Sequence, residues 1–484
     1  MRVLLVNPDS NVESVLGNAM PLGLLYIAAI LEPDHEVRLI DLTACGDSIL
    51  FDAVREFKPQ VLGISLLHTV SYTKSLKLLR ELRELDDTMV IVAGGSYIFF
   101  RDRDFESLLK GRVMDYIVSG EGDFVFKSLV DSIDSGKPVS LVKGVYYLED
   151  GAVRYSGRQD TVDLDDLPRP DFRLIDVNDY DFVWCEKPFL LVDWSRGCPH
   201  KCLFCSSKDF FTPYRTRSPE RMAEDIEYYA RSMGVKNLMF ADDNFFGDVS
   251  KTRRLLQLIS ERKLDINASI QARVDTFISH PDLIPLAREA GVKAILFGIE
   301  DVNEEIMGYY GKRYDALRVK EVFSILIENG VFVIASMIVG SPLESMDSIV
   351  EKTDFMDEVN PSMVVYQKFT PHGRLMDEFL EEGKVGITDL DYWDHMSYVC
   401  KVGFDTEKAE EVLRMSNKRI FRKNLATSYE NPVGRKMINR AIIGGKAHLL
   451  FGRTRMFHAL MKPLLRVLRI ILLFKPSKGV DNSV

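Results

Sequence analysis

Ser195-Arg196-Gly197-Cys198-Pro199-His200-Lys201-Cys202-Leu203-Phe204-Cys205 places three cysteines in a C-x3-C-x2-C run on one short segment. Three thiolates this close hold three corners of a cubane [4Fe–4S] cluster from a single loop and leave the fourth iron without a protein ligand. An open iron is a place for chemistry, because a small molecule can chelate it and take an electron from the cluster. The same thiols also suit a structural zinc site with Cys185 or His200 as the fourth ligand. Zinc sites show four ligands, usually on paired C-x2-4-C knuckles, and no second knuckle exists in this sequence.

Outward from that run, six strand candidates alternate with helices: Phe189–Asp193, Asn237–Ala241, Asn267–Gln271, Ala294–Ile299, Val331–Ile338 and Met363–Phe369. Six βα units without a clear seventh or eighth predict a partial barrel, open on one side. Barrels of this kind carry their chemistry on the loops after the strands, and the cysteine run follows the first. Polar residues follow the others. Asp242-Asp243-Asn244 comes after the second, Gln271 and Arg273 end the third, Glu300 ends the fourth, and Gly340-Ser341-Pro342 follows the fifth. Each alone has a structural use, such as helix capping by Asp242 or Asp243. Their recurrence at successive strand ends marks one rim.

The cysteine spacing, with Phe204 before the third cysteine, resembles the signature of the radical S-adenosylmethionine (SAM) enzymes, and the resemblance covers about residues 189 to 380. It implies that the open iron binds the amino and carboxylate groups of SAM, whose reductive cleavage yields methionine and a 5′-deoxyadenosyl radical. It also implies roles for the rim. Asp242, Asp243 and Asn244 would face the SAM ammonium, and the planar fork of Arg273 suits a carboxylate. Glu300 would accept from the ribose hydroxyls, and the turn at Gly340 and Pro342 would meet the adenine edge. Tyr366, Lys368 and His372, near the sixth strand, are candidate substrate contacts. The loop there reads Pro371-His372-Gly373-Arg374, where the family often has Pro-Gly-Thr.

The first third of the chain also alternates strands and helices, with apolar strands at Val3–Val6, Glu36–Leu42, Gln60–Leu66, Met89–Ala93 and Tyr116–Val118. Helices are expected at Pro21–Leu31 and at about Thr73–Leu85. The alternation predicts a doubly wound parallel sheet that binds ligands at its strand ends. With Ser65-Leu66-Leu67, Gly94-Gly95 and Gly120-Glu121-Gly122-Asp123 at three strand tips, the layout resembles a cobalamin-binding Rossmann-like domain. That resemblance implies that Ser65, Leu67, Gly94, Gly95, Gly120 and Glu121 enclose the nucleotide tail of cobalamin. No Asp-x-His-x-x-Gly follows the first strand, so the histidine that often coordinates cobalt from below is missing. His68 lies next to the third-strand loop. A degenerate domain without cofactor is the other use of this fold.

The fold class expected is α/β: a cobalamin-binding-type Rossmann domain (1–143), a linker with a hairpin (144–185), a partial (β/α)6 radical SAM core (186–385) and a helical, basic C-terminal region (386–484). That order resembles the cobalamin-dependent radical SAM enzymes, and implies C-methylation of an unactivated carbon. Oxidative cyclisation or C–C coupling without methylcobalamin is the alternative within the family. A non-catalytic iron–sulfur or metal-binding sensor is the alternative outside it. Methylthiotransferases share the core but bring a second cysteine triplet, whereas Cys45 stands alone here.

Composition narrows the setting. The six cysteines make no disulfide framework, and a cluster of this kind needs a reducing compartment. No stretch is long and uncharged enough to span a bilayer, and a net charge of −10 argues against nucleic acid as partner. A cytoplasmic protein with a reducing partner such as flavodoxin or ferredoxin is expected. The C-terminus is different in character: residues 414–478 hold sixteen Lys or Arg against one acid, Glu430, and Phe457 to Phe474 reads FHALMKPLLRVLRIILLF. A basic, apolar helix suits the membrane interface, and with it a lipid-like substrate. A helix that closes the barrel or forms a dimer contact is the other reading.

Overall fold

Val3-Leu4-Leu5-Val6 shows no polar alternation, which is the mark of a strand covered on both faces, and all four side chains are fully buried. The computed structural model describes residues 1–9, 17–67, 69–182, 185–431 and 433–436. Within them, parallel strands β1 (Arg2–Asn7), β2 (Glu36–Asp41), β3 (Val61–Ser65), β4 (Val90–Gly94) and β5 (Tyr116–Val118) form one sheet with antiparallel β6 (Val145–Glu149) and β7 (Ala152–Tyr155). Their order is β2-β1-β3-β4-β5-β6-β7. The hairpin around Asp150-Gly151 therefore extends this first sheet at its edge. Because β2 and β3 lie on opposite sides of β1, the winding reverses between β1 and β3, and a doubly wound sheet opens a crevice at that point.

Helix α1 (Leu22–Leu31) starts directly after Pro21 and buries Leu24, Leu25, Tyr26 and Ala28. Helix α2 (Thr69–Leu85) begins four residues before the expected start, because Thr69, Val70 and Tyr72 are also buried. Helix α3 (Asp123–Asp134) follows β5. The acidic stretch after the hairpin packs on α1, with Leu164 and Leu167 against Tyr26 and Ile30.

The second sheet contains β8 (Phe189–Val192), β9 (Asn237–Phe240), β10 (Asn267–Ala272), β11 (Val292–Glu300), β12 (Phe332–Val339) and β13 (Met363–Lys368). All neighbours are parallel and the order is strictly sequential. β8 and β13 do not pair, so the six-unit barrel is open as expected. Strand bounds differ from the sequence reading by one or two residues. A register shift between Gly298 and Glu300 makes a bulge in β11, which re-aims the Glu300 side chain.

Helix α4 (Thr406–Glu430), capped by the Asp405 side chain, packs on β13 and on the helix Met346–Val359. Among the described residues no helix is long and apolar enough to cross a membrane. Residues 437–484, which hold the expected basic apolar helix, lie outside the described residues, as does His68.

Candidate functional site

The strand ends of both sheets open on one cavity of about 930 Å³. Ser65, Leu67, Gly94, Gly95, Gly120 and Glu121 line it from the first sheet, and Phe204, Cys205 and Asp243 from the second. The cavity cuts down to the crevice between β1 and β3, where Leu5, Gly63 and Phe126 form its floor. A Cβ at Gly63 would stand 2.6 Å from the Phe126 ring, so only glycine leaves that floor intact. Gly95 has φ +109°, and a Cβ there would stand 2.6 Å from the Leu66 carbonyl oxygen. At Gly94 an added Cβ meets nothing nearer than 3.7 Å.

The cysteine loop is bracketed at its base by the antiparallel pair of Ser195–Arg196 with Arg215–Thr216. Gly197 has φ +82°, and any side chain there would strike the Phe211 carbonyl. Within the loop, Cys202 O accepts from Cys205 N (3.2 Å) and from Lys208 Nζ (3.0 Å). Leu203 N donates to Tyr310 O (3.0 Å), and Phe204 stands edge-on to the Tyr310 ring at 5.2 Å. Arg273 donates through Nη1 to Cys202 Sγ (3.6 Å) while its other nitrogens hold Asp275. Burial pushes the Cys198 thiol up, and the Cys205 thiol up to about 11. Both stay protonated near neutrality until a metal replaces the proton.

The donor set fits a cubane better than a single zinc. Cys185 precedes β8, at the end of the strand opposite to the cysteine loop, and is buried with its carbonyl held by Lys436. His200 is exposed. Among the described residues no three His, Cys, Asp or Glu side chains converge on one metal-ion position. Three thiols spread over one loop suit separate corners of a cluster.

Two family models match the chain. That of the radical SAM superfamily spans residues 192–356, and that of the B12-binding domain spans residues 9–130. The chain is a radical SAM enzyme with a B12-binding domain. Its two functional domains are thus those whose strand ends share the cavity. An uncharacterized methyltransferase of Pyrococcus horikoshii is 27% identical over 383 residues, 77% of this chain and 81% of that protein. The anaerobic magnesium-protoporphyrin IX monomethyl ester cyclase of Rubrivivax gelatinosus is 27% identical over 476 residues, covering 95% and 84% of the two chains. The radical SAM methyltransferase TsrM of Kitasatospora setae, solved with cobalamin and a [4Fe–4S] cluster, superposes with a TM-score of 0.66 at 17% identity, over 80% of this chain and 79% of that one. That likeness extends the shared fold across both domains.

The radical SAM rim contains several residues whose side chains already have partners. Asp242 is buried and turned toward the root of the cysteine loop, accepting from Ser195 Oγ (2.5 Å) and Trp194 N (3.3 Å). Burial pushes its carboxyl up to about 8. Asp243 accepts from Ser207 and faces the cavity. Asn244 is buried with neither its amide oxygen nor its amide nitrogen partnered, a donor and an acceptor ready for a ligand. Glu300, at φ +69°, is paired with buried Lys312 (3.1 Å). Gly340, at φ +95°, donates its N–H to Glu344, and Pro342 follows in the same turn. Gln271 lines the barrel interior with Met239 and Leu296.

Three arrangements leave no mark in the sequence. A fully buried lysine, Lys352, sits between Asp301 (2.8 Å) and Glu344 (2.5 Å) beneath the fifth-strand loop. His372 and His395 bring their Nε2 atoms to 3.1 Å on the cavity wall, 23 residues apart in sequence. Glu121 is held by Arg196 (2.6 Å) and Arg215, so its carboxylate is engaged by the other domain. Of the substrate-contact candidates only His372 reaches the cavity. Tyr366 bonds Ser416 on α4 (3.0 Å), and Lys368 pairs with Glu410 and lies over the Tyr398 ring, because α4 covers that side of β13.

Proposed function

We propose that this chain is a cobalamin-dependent methyltransferase acting on an unactivated carbon of a hydrophobic small molecule. The observation that carries the reading is the shared cavity, in which the strand tips of the B12-binding domain face Phe204 and Cys205 of the cysteine loop. When bound, the cluster with SAM supplies hydrogen abstraction from an inert carbon, and cobalamin supplies the methyl group.

The chain's own residues divide the remaining work. Cys198, Cys202 and Cys205 hold three irons, and Arg273 adds a charged hydrogen bond to the Cys202 sulfur, a contact that tunes a cluster's potential. Asp243 and Asn244 offer polar atoms for SAM, with Glu300 and the Gly340–Pro342 turn on the same rim. Gly94, Gly95 and Gly120 keep the opposite wall at backbone level, which suits the broad face and buried tail of cobalamin. Phe100, Phe210, Phe211 and Trp393 line the space between and exclude water from a reactive radical. The His372–His395 pair gives that apolar wall one polar grip for a substrate oxygen.

A reduced flavodoxin or ferredoxin is the electron donor in this proposal. The basic residues 414–478 would hold the protein at an anionic membrane surface from the cytoplasmic side. Removal of residues after Phe451 should then weaken binding to anionic liposomes, and unchanged binding sinks that part.

Protein purified without oxygen after growth with cobalamin provides the central test. One cobalamin and four irons per chain, 5′-deoxyadenosine from SAM with a reductant, and label moving from methyl-labelled SAM to cobalamin support methyl transfer. The match with a cyclase over 95% of the chain favours oxidative cyclisation as the second reading. SAM cleavage with no methyl label on cobalamin selects it. A cluster that does not cleave SAM leaves a sensor.

A further inference from the structure

Interfaces between domains of one chain are usually polar and mobile, and radical transfer tolerates little misplacement; an error of about 1 Å can cost about 100-fold in rate. The interface here contains a closed, buried charge network. Arg196 Nη1 pairs with Glu121 Oε2 (2.6 Å) and Asp123 Oδ2 (2.6 Å), and its Nη2 donates to Asp123 Oδ1 (3.1 Å). Its Nε holds Asp193 Oδ2 (3.2 Å). Arg215 takes the Glu121 carboxylate from the other side. Arg217 reaches Asp193 (3.5 Å) and donates to Tyr26 Oη (2.6 Å), which in turn donates to Asp193. Three arginines thus meet three carboxylates. Tyr26, Glu121 and Asp123 come from the B12-binding domain, and the rest come from the radical SAM core.

Arg196 is two residues before Cys198. Between them lies only Gly197, whose backbone leaves no room for a side chain against Phe211. On the other flank, Trp194 and Ser195 are pinned to Asp242. The chain has no slack between the network and the first cluster ligand. Glu121 and Asp123 stand as close to the opposite wall, since both line the cavity beside Gly120.

We infer that Arg196 is a positioning residue: with Glu121, Asp123 and Asp193 it registers the cluster loop against the B12-binding domain, setting the distance from the cluster to whatever that domain holds. In its cobalamin form the inference rests on the function proposed above. The bidentate, charge-balanced geometry favours registration over mere adhesion, because a planar guanidinium fixes angles as well as contact. It also explains an arginine at this place, where a lysine would give a point charge.

The test measures that distance directly. Cys45 is the exposed cysteine of the first domain, whereas Cys185 and Cys400 are buried. Cluster-loaded full-length protein is labelled at Cys45 with a gadolinium chelate, the cluster is reduced, and the distance between the two is read by pulsed dipolar EPR. We expect a narrow distribution in the native protein and at least a doubled width in Arg196→Met with four irons still bound. Arg196→Lys falls between them. If Arg196→Met does not fold, Arg215→Met loosens the same network from its outer side and shows a smaller broadening. Unchanged distributions in the folded variants overturn the inference. In cobalamin-loaded protein the same broadening is expected between cob(II)alamin and the reduced cluster. If native protein takes up no cobalamin, methyl transfer falls, and the Cys45 distance still decides the role of Arg196.

Discussion

The two rims that face each other across the cavity are built by opposite means. On the B12-binding side the wall recedes: Gly94, Gly95 and Gly120 stand at three strand ends, and the Glu121 carboxylate is drawn away into the interface. On the radical SAM side the wall is dense with side chains that hold one another, as Asp242 holds Ser195, Lys312 holds Glu300, and Lys352 holds Asp301 and Glu344. The difference fits the function proposed above, in which the first rim would take cobalamin and the second the cluster with SAM. A broad macrocycle is admitted by removing side chains and letting backbone line the space, whereas a cluster and a small charged molecule need donors and acceptors fixed in advance. Sheet order produces the same contrast. The reversed winding between β1 and β3 leaves a deep crevice, while strictly sequential strands bring every loop to one rim.

Breaking the dense rim at its centre has the largest effect. Cys202→Ala removes one corner of the cluster, and both bound iron and 5′-deoxyadenosine formation fall to background in anaerobic protein. Removing the side chain that joins the rims comes next: Arg196→Ala leaves buried carboxylates short of a partner and costs about 3–5 kcal/mol, read as a lower urea midpoint.

A pH slope separates the rims further. The Asp242 carboxyl, at about 8 when folded against 3.8 as its ordinary value, is protonated in the folded protein near neutrality. Its contribution to stability is full below about pH 4 and drains away as pH rises to about 8, because only the unfolded form ionises readily in that window. Denaturation midpoints should therefore fall between pH 5 and pH 8 more steeply in the native protein than in Asp242→Asn; equal slopes would contradict the buried, protonated state.

The receding rim is tested by Gly95→Ala. Its positive φ and the approach to Leu66 impose about 1–3 kcal/mol of strain, and cobalamin retention on gel filtration weakens about tenfold. The smallest effect belongs to an exposed contact between the same domains. Arg103→Ala breaks the ion pair with Asp377, whose partners are 42% and 39% exposed, and changes stability by no more than about 0.5 kcal/mol. A large loss there would mean that exposed pairs, and not the buried network, hold the domains in register.

Much of this was legible along the chain. Val3–Val6 and the six later strands announce themselves by apolar runs between helical repeats, and the glycine pairs mark strand tips wherever a turn needs them. The site was legible in kind and less so in detail. Asp242-Asp243-Asn244 reads as three equivalent polar residues, yet one anchors the loop root, one faces the cavity and one stays buried with its amide unpartnered. Tyr366 and Lys368 read as rim residues because strand ends usually face a site, but α4 covers that side of β13.

What the sequence by itself determined is the chemistry carried by neighbours in the chain. Three thiols within eight residues need only one loop to act together, and periodic apolar residues need only their own helix or strand. What the tertiary structure alone decided is which distant charges meet. Arg196 finds Asp123 across 73 residues and Glu121 across 75, and His372 finds His395 across 23. No local spacing encodes those meetings, because they depend on how two separately wound sheets dock. Once docked, burial in low dielectric makes an unpaired charge so costly that the partners are held to one arrangement.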